Sequence, residues 1–368
     1  MITDGRDPLL WDLPFPAVGN RTPREILTHT REKGAGFDDY LTGPYAARMM
    51  NHLLPWLQFG KKGSDPELLS YWEKQGIKKE LHICNEDPNR TWVAYYPIEA
   101  CRHGFRCPVW FIDHALGRDL LDLEAWGFVQ LVAEKQIIVL SAEDCNDEAI
   151  ISETIRKAIE LYPCDMSRIY LAGHSFSGSC AGRIAISNPD LFSGLCMMGS
   201  QYSGLDSTET EIKRARLLKM PRIDIHGTAE KILPFNVTYP IPASPRIVEN
   251  VTPTDMGLDA CYIEQIFWRT MNGCRLFEKS EMEVIDQVSD NIVEKKIGTI
   301  LDRTEYRVLG GRPHYIGDVI NQEGIAMIRH VGVEGAPHYP SAYAGELAWE
   351  FLHRFYREPG TGTLRIMG

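Results

Sequence analysis

The chain has 368 residues, 44% hydrophobic and 24% charged, enough to bury a core in two average domains or one large one. Its 39 basic and 50 acidic side chains leave a net charge of −11, and no basic run stands out. That argues against nucleic acid and anionic membranes as partners, because both are bound through clustered Lys and Arg. No apolar stretch approaches the roughly 18–20 residues of a bilayer helix.

Met1 to Asn20 carries Asp4, Asp7 and Asp12 and no long apolar region, unlike a secretory signal. Thr22-Pro23-Arg24-Glu25 is a capping box with Pro at the first helical position, which predicts a helix start. Tyr45 to Trp56 reads as a second helix, ended by Pro55, and Ser64-Asp65-Pro66-Glu67 repeats the capping device before Leu68, Leu69, Tyr71 and Trp72. Residues 1–80 are therefore expected as a helical segment packed on the main body.

From residue 81 short β-rich runs alternate with helical patterns. Leu81–Cys84 and Thr91–Tyr96, joined by Asp87-Pro88-Asn89, predict a hairpin. Pro108–Ile112 predicts a strand, Trp126, Val129 and Ala133 one face of a helix, and Gln136–Leu140 a strand. Ile151, Ile155, Ala158 and Ile159 mark a helix, followed by a strand at Arg168–Ala172, a helix at Ser179–Ser187 and strands at Leu195–Gly199 and Arg222–Ile225. A strand at Ile325–Val333 and a last helix carrying Ala348, Phe351, Leu352 and Phe355 close the pattern. Such alternation implies βαβ units and a mostly parallel sheet with helices on both faces. The stretch 236–324 breaks the rhythm with Tyr239-Pro240-Ile241-Pro242, the charged run Glu278 to Lys296 and the pair Gly310-Gly311. It is expected as a lid-like insertion in an α/β domain spanning 81–368. Nine cysteines, an odd number without a C-x-x-C pair, favour free thiols and a reducing compartment, so the cytoplasm is the expected location.

The segment Arg168-Ile-Tyr-Leu-Ala-Gly173-His174-Ser175-Phe176-Ser177-Gly178 runs from strand to small residues that open a helix. This is the pattern of a nucleophile elbow, where a sharp turn exposes a serine, with Ser177 in place of the second Gly of G-x-S-x-G. Small residues at 173 and 177 would let the backbones approach. Ser175 is the candidate nucleophile, and the Phe176 N–H at the helix start faces a developing oxyanion. A serine needs a base, and the base an orienting acid, in the chain order Ser, Asp/Glu, His. His338, in Gly335-Ala336-Pro337-His338-Tyr339-Pro340 between the last strand and last helix, is the candidate base, with His314 the runner-up. His330 reads as a structural strand residue, His353 as a surface residue and His226 as a support for its turn. Glu230, on the loop after Arg222-Ile-Asp-Ile-His226-Gly227-Thr228, is the candidate acid; Asp224 lies inside the strand. The second oxyanion donor is expected after Val109–Ile112, at the N–H of Ala115 or Leu116.

Together these pieces resemble the α/β-hydrolase superfamily, and within it esterases similar to polyhydroxybutyrate depolymerases and feruloyl esterases. His114-Ala-Leu-Gly117 looks like that group's His-Gly-x-Gly oxyanion segment, and Gly173-His-Ser-Phe-Ser-Gly178 like its elbow. His226-Gly-Thr-Ala-Glu230-x-x-x-Pro234 resembles its acid loop, Trp268-x-x-x-Asn272-Gly273-Cys274 a later Trp/Asn-Gly-Cys element, and Gly335-x-x-His338-x-Pro340 its base loop. Three positions depart from the pattern: Ala115 and Ser177 replace Gly, and Glu230 replaces Asp. The resemblance implies an α/β-hydrolase fold and a serine carboxylic-ester hydrolase acting through an acyl-enzyme. Its substrate would be a small-molecule or sugar-linked ester, with no cofactor or metal. Trp56, Trp72, Tyr239, Phe267 and Trp268 would suit an aromatic acyl group or serve as core. An acyltransferase or thioesterase, a serine peptidase and an inactive hydrolase-fold binding protein stay open as alternatives.

Overall fold

The computed structural model describes residues 48, 52, 66–84, 91–103, 105–113, 123–124, 126–142, 147–204, 206–229, 258–336, 338 and 340–367. The helix starts expected at Thr22 and across 45–56 lie outside the described residues, apart from Arg48 and His52. Arg48 pairs with Glu346 and stands over the Tyr343 ring at 4.0 Å, so at this point the N-terminal segment touches the main body.

The third expected helix forms as α1 (Pro66–Lys74), and its Trp72 is buried in the core. The hairpin follows as β1 (Ile77–Ile83) and β2 (Thr91–Pro97), then come α2 (Ile98–His103) and β3 (Cys107–Asp113). The helix around Val129 is shorter than its periodicity suggests, α3 (Leu131–Lys135), and ends where Gln136 takes φ 52°. Next are β4 (Ile138–Ala142), α4 (Glu148–Leu161), β5 (Cys164–His174), α5 (Phe176–Ser187), β6 (Gly194–Met198), α6 (Glu209–Leu218) and β7 (Arg222–Gly227). The Asp147 carboxylate caps α4 at the Ala149 N–H, 2.8 Å away.

Most of the expected insertion is scaffold, which corrects the reading of 236–324 as a lid. Residues 236–257 are not described, but 258–324 build α7 (Leu258–Asn272), α8 (Lys279–Glu283), α9 (Ile285–Val288), α10 (Ile292–Ile297), β8 (Arg303–Leu309) and β9 (Arg312–Ile320). Gly310 and Gly311, at φ 57° and 79°, form the two-residue turn of the β8–β9 hairpin. The chain closes with β10 (Ala326–Val333), α11 (Ala344–Leu352) and the small ribbon β11 (Phe355–Arg357) and β12 (Leu364–Ile366).

Ten strands form one sheet in the order β1-β2-β4-β3-β5-β6-β7-β10-β9-β8. The six strands from β4 to β10 in that order are parallel, and the β1–β2 and β8–β9 hairpins add antiparallel margins. Every residue of β3, β4, β6 and β7 is buried, as expected for parallel strands covered on both faces. At the β8 margin the two covers are visible: the loop before α10 reaches Thr304, and α11 reaches Arg307 from the opposite face. The main core is continuous from Trp72 to Phe355. Seven described cysteines, 84, 107, 164, 180, 196, 261 and 274, are free thiols. Among the described residues no helix is long and apolar enough to cross a membrane.

Candidate active site

Strand β5 lies between β3 and β6 near the middle of the sheet, and its C-terminal end delivers Ser175. Ser175 takes φ 59° and ψ −129°, a conformation that L-residues avoid, on the turn from β5 into α5. Its N–H is held by the Met198 carbonyl at 3.0 Å, and its own carbonyl accepts from Ser179 at 3.2 Å. The turn is possible because strand and helix nearly touch. A Cβ on Gly173 would stand 2.6 Å from the Ser177 carbonyl oxygen and 2.8 Å from Gly178 Cα. A Cβ on Gly178 would meet Ser200 Oγ at 2.2 Å. Gly178 joins residues 173 and 177 in this close approach, and Ser177, a small residue, is buried there.

His338 reaches the serine: its Nε2 lies 2.7 Å from Ser175 Oγ. The ring is buried and packs on His174, centroids 4.8 Å apart, and His174 in turn meets Trp126 edge-on. His338 is carried by the loop after β10, which is sewn to the loop after β7. The Thr228 N–H donates to the Val333 carbonyl at 2.9 Å, and the Ala229 N–H to the Ala336 carbonyl at 3.0 Å. The Gly335 N–H donates to Thr228 Oγ1 at 2.8 Å. The approach is so close that a Cβ on Gly227 would lie 1.8 Å from the Ala336 carbonyl oxygen. Residue 229 is therefore bonded to a residue only two positions before His338.

Glu230 itself lies outside the described residues, as do Ala115 and Leu116. Phe176 is the first residue of α5 and its side chain is partly exposed beside Ser175. The first N–H groups of a helix have no acceptor within it and point forward, toward the serine end here.

The other candidates are placed elsewhere. His314 is buried in β9, its Nδ1 2.9 Å from the Arg312 carbonyl oxygen, and it is His338 that meets the serine. Burial pushes the His314 pKa down to about 4, against the pull of that carbonyl. Unfolded, the ring would take its proton near 6.5. The unfolded state therefore binds the proton first as pH falls, and stability present above 6.5 is lost on the way to 4. That loss should amount to about 3 kcal/mol. Measured by urea unfolding at successive pH values, native protein should lose this much stability relative to His314→Gln between pH 6.5 and 4.

Asp224 is occupied in a buried ionic cluster rather than at the serine. Arg222 Nε lies 2.8 Å from Asp224 Oδ2, His330 Nδ1 lies 3.0 Å from the same oxygen, and Arg222 also reaches Glu264 at 3.1 Å. Arg222 stacks on Trp268 at 4.6 Å. Burial pushes the Asp224 carboxyl up, but Arg222 and His330 outweigh it and hold the group below its ordinary range. Burial pushes Glu264 up to about 7, with Arg222 opposing and Asp224 adding to the rise. Burial lowers His330 despite Asp224, so the reading of His330 as structural fits its place here. This cluster was not anticipated; its signal was three polar residues, 222, 224 and 226, alternating in a strand otherwise apolar. His353 ends α11, stacked on Trp349, and His226 is buried near the close contact of the two loops. Trp72 and Trp268 are core, and Trp56 and Tyr239 are not described. Cys274, in the Trp/Asn-Gly-Cys element, is a buried free thiol; Asn272 Oδ1 of that element accepts from the Met220 N–H at 3.0 Å.

No protein-family model and no curated protein matches the sequence. Among solved structures, an acetyl xylan esterase from Aspergillus awamori is similar at 11% identity and TM-score 0.46, covering 75% of this chain and 99% of that one. S-formylglutathione hydrolase (FrmB) from Staphylococcus aureus is similar at 11% identity and TM-score 0.35, covering 42% and 78%. A thermostable esterase is similar at 16% identity and TM-score 0.34, covering 43% of this chain and 48% of its own length. These likenesses are remote, and the architecture speaks for itself. A central parallel sheet, a strained serine between strand and helix, and a histidine delivered by the last parallel strand make up an α/β-hydrolase fold.

Proposed function

We propose that the protein is a serine carboxylic-ester hydrolase acting through an acyl-enzyme. The observation that carries the reading is the 2.7 Å contact between Ser175 Oγ and His338 Nε2 on a strained elbow. In this mechanism His338 Nε2 takes the hydroxyl proton as Oγ attacks the ester carbonyl carbon. The resulting oxyanion is held by the Phe176 N–H and by Ala115 or Leu116, a donor being worth roughly 2.7–4 kcal/mol of barrier. Collapse expels the alcohol, which takes the proton from His338, and leaves an ester on Ser175. Water, deprotonated by the same histidine, then releases the acid. Glu230 orients the imidazole and stabilises its charged form; the bonds from Thr228 and Ala229 to the His338 loop support that assignment. The substrate is a small-molecule or sugar-linked ester; Trp72 and Trp268 belong to the core and so do not speak for an aromatic acyl group.

Labelling with a fluorophosphonate probe, read by intact mass, tests the reading. One adduct on the native protein, absent in Ser175→Ala, is the expected result; no adduct on folded native protein overturns it. The loop seam gives a subtler check. Thr228→Val removes the acceptor for the Gly335 N–H and should cost about 0.5–1.5 kcal/mol of stability. It should also lower kcat for an activated ester with KM unchanged, and Thr228→Ser should restore it. A kcat equal to native in Thr228→Val would separate the seam from the base.

A further inference from the structure

Among the described residues the sheet ends on β8, where Arg303, Thr304, Glu305, Tyr306 and Val308 are all exposed. The register tells which backbone groups face outward. The Glu334 N–H bonds to the Pro313 carbonyl, so Pro313 faces β10 and the alternate residues Arg312, His314, Ile316 and Asp318 face β8. Asp318 agrees, since its carbonyl accepts from the Asp302 N–H. Their neighbours in β8 are Leu309, Arg307, Glu305 and Arg303. Thr304, Tyr306 and Val308 therefore turn their N–H and C=O groups away from the sheet.

The strand reads Arg-Thr-Glu-Tyr-Arg-Val-Leu, and it complements itself about its middle residue. Laid antiparallel on another β8 with Tyr306 against Tyr306, Thr304 meets Val308 and Glu305 meets Arg307. The outward-facing residues then fall at the positions that exchange hydrogen bonds. The opposite charges fall at the intervening positions, where paired Cα atoms come within about 4.5 Å. A register centred on Thr304 would also pair Arg303 with Glu305, but it would overlap only residues 303–305 of β8, whereas the register centred on Tyr306 uses the whole strand. The strand contains no Lys or Pro and its ladder with β9 has no bulge; the charges it does carry, Arg303, Glu305 and Arg307, are of mixed sign and so can pair across a two-fold axis rather than repel. Beside it lies apolar surface. Asn291 Nδ2 donates to Thr304 Oγ1 at 2.8 Å, which brings exposed Ile292 next to the row of Thr304, Tyr306 and Val308, with Val288 on the adjoining helix.

We propose that β8 pairs with β8 of a second copy of this chain about a two-fold axis through Tyr306, joining the two sheets into one. Such an interface is isologous, so each Glu305–Arg307 contact occurs twice. Sedimentation velocity from about 1 to 100 μM should show a dimer. Arg307→Glu places like charges opposite each other twice and should weaken the dimer about tenfold or more. Glu305→Arg combined with Arg307→Glu restores opposite signs and should recover it, with circular dichroism confirming that all three proteins are folded. Native protein that stays monomeric at the highest concentration overturns the proposal. So does a dimer indifferent to the single reversal, which would place the contact on another face.

Discussion

Ser175→Ala is expected to reduce kcat for an activated ester by about 10⁶-fold, the order seen when the nucleophile of a serine triad is removed. The size of the effect follows from how the residue is held. The φ of 59° at Ser175 is maintained by the Met198 carbonyl, by α5 and by the near contact of Gly173 with Gly178. None of these depends on the hydroxyl, so the variant should fold normally and lose only the attacking atom. The measurement is kcat on a p-nitrophenyl ester together with a thermal melt. An unchanged rate would move the chemistry away from the elbow altogether; an unchanged melt with lost activity isolates the hydroxyl.

The largest loss of stability should come from Arg222→Met. The guanidinium neutralises two buried carboxylates, Asp224 and Glu264, and methionine would leave both without it. Breaking a buried ionic group by removing one member typically costs about 3–5 kcal/mol. For a chain of this size that corresponds to a fall in Tm of about 5 °C. The pH dependence has a definite sign. Without Arg222 the two carboxyls hold protons more tightly in the folded state than unfolded, so folding is favoured as pH falls. The deficit relative to native protein should therefore be greatest near pH 7 and shrink toward pH 5. A deficit independent of pH would mean that the arginine serves only to pack on Trp268.

The parts of the chain that were legible are those whose surroundings are uniform. β3, β4 and β6 are buried on both faces and so read as unbroken apolar runs. The elbow was legible because its geometry tolerates so few residue types at 173, 175 and 178. β8 was not, since an edge strand with most residues in water has no apolar alternation to betray it. Its one clear mark was Gly310-Gly311, the hairpin turn, and a glycine pair alone does not tell a hairpin from a loop. His338 could be chosen over His314 from its place in a loop after the last parallel strand. The seam between residues 227–229 and 333–336 could not be foreseen, because it is made by backbone atoms and one threonine hydroxyl.

The strand order also has a consequence for how the chain must assemble. β10 follows the β8–β9 hairpin in sequence, yet it sits between that hairpin and β7 in space. As the polypeptide leaves the ribosome, the hairpin emerges while the place beside β7 must stay vacant for a strand not yet made. Direct docking of β9 on β7 would close the sheet without β10 and leave His338 stranded. Pairing across so long a stretch of chain is slow to form, which gives β10 time to arrive before β9 can dock on β7. The strand that completes the sheet is thus the one followed by the His338 loop, and the contact between Ser175 and His338 can form only when assembly is nearly finished.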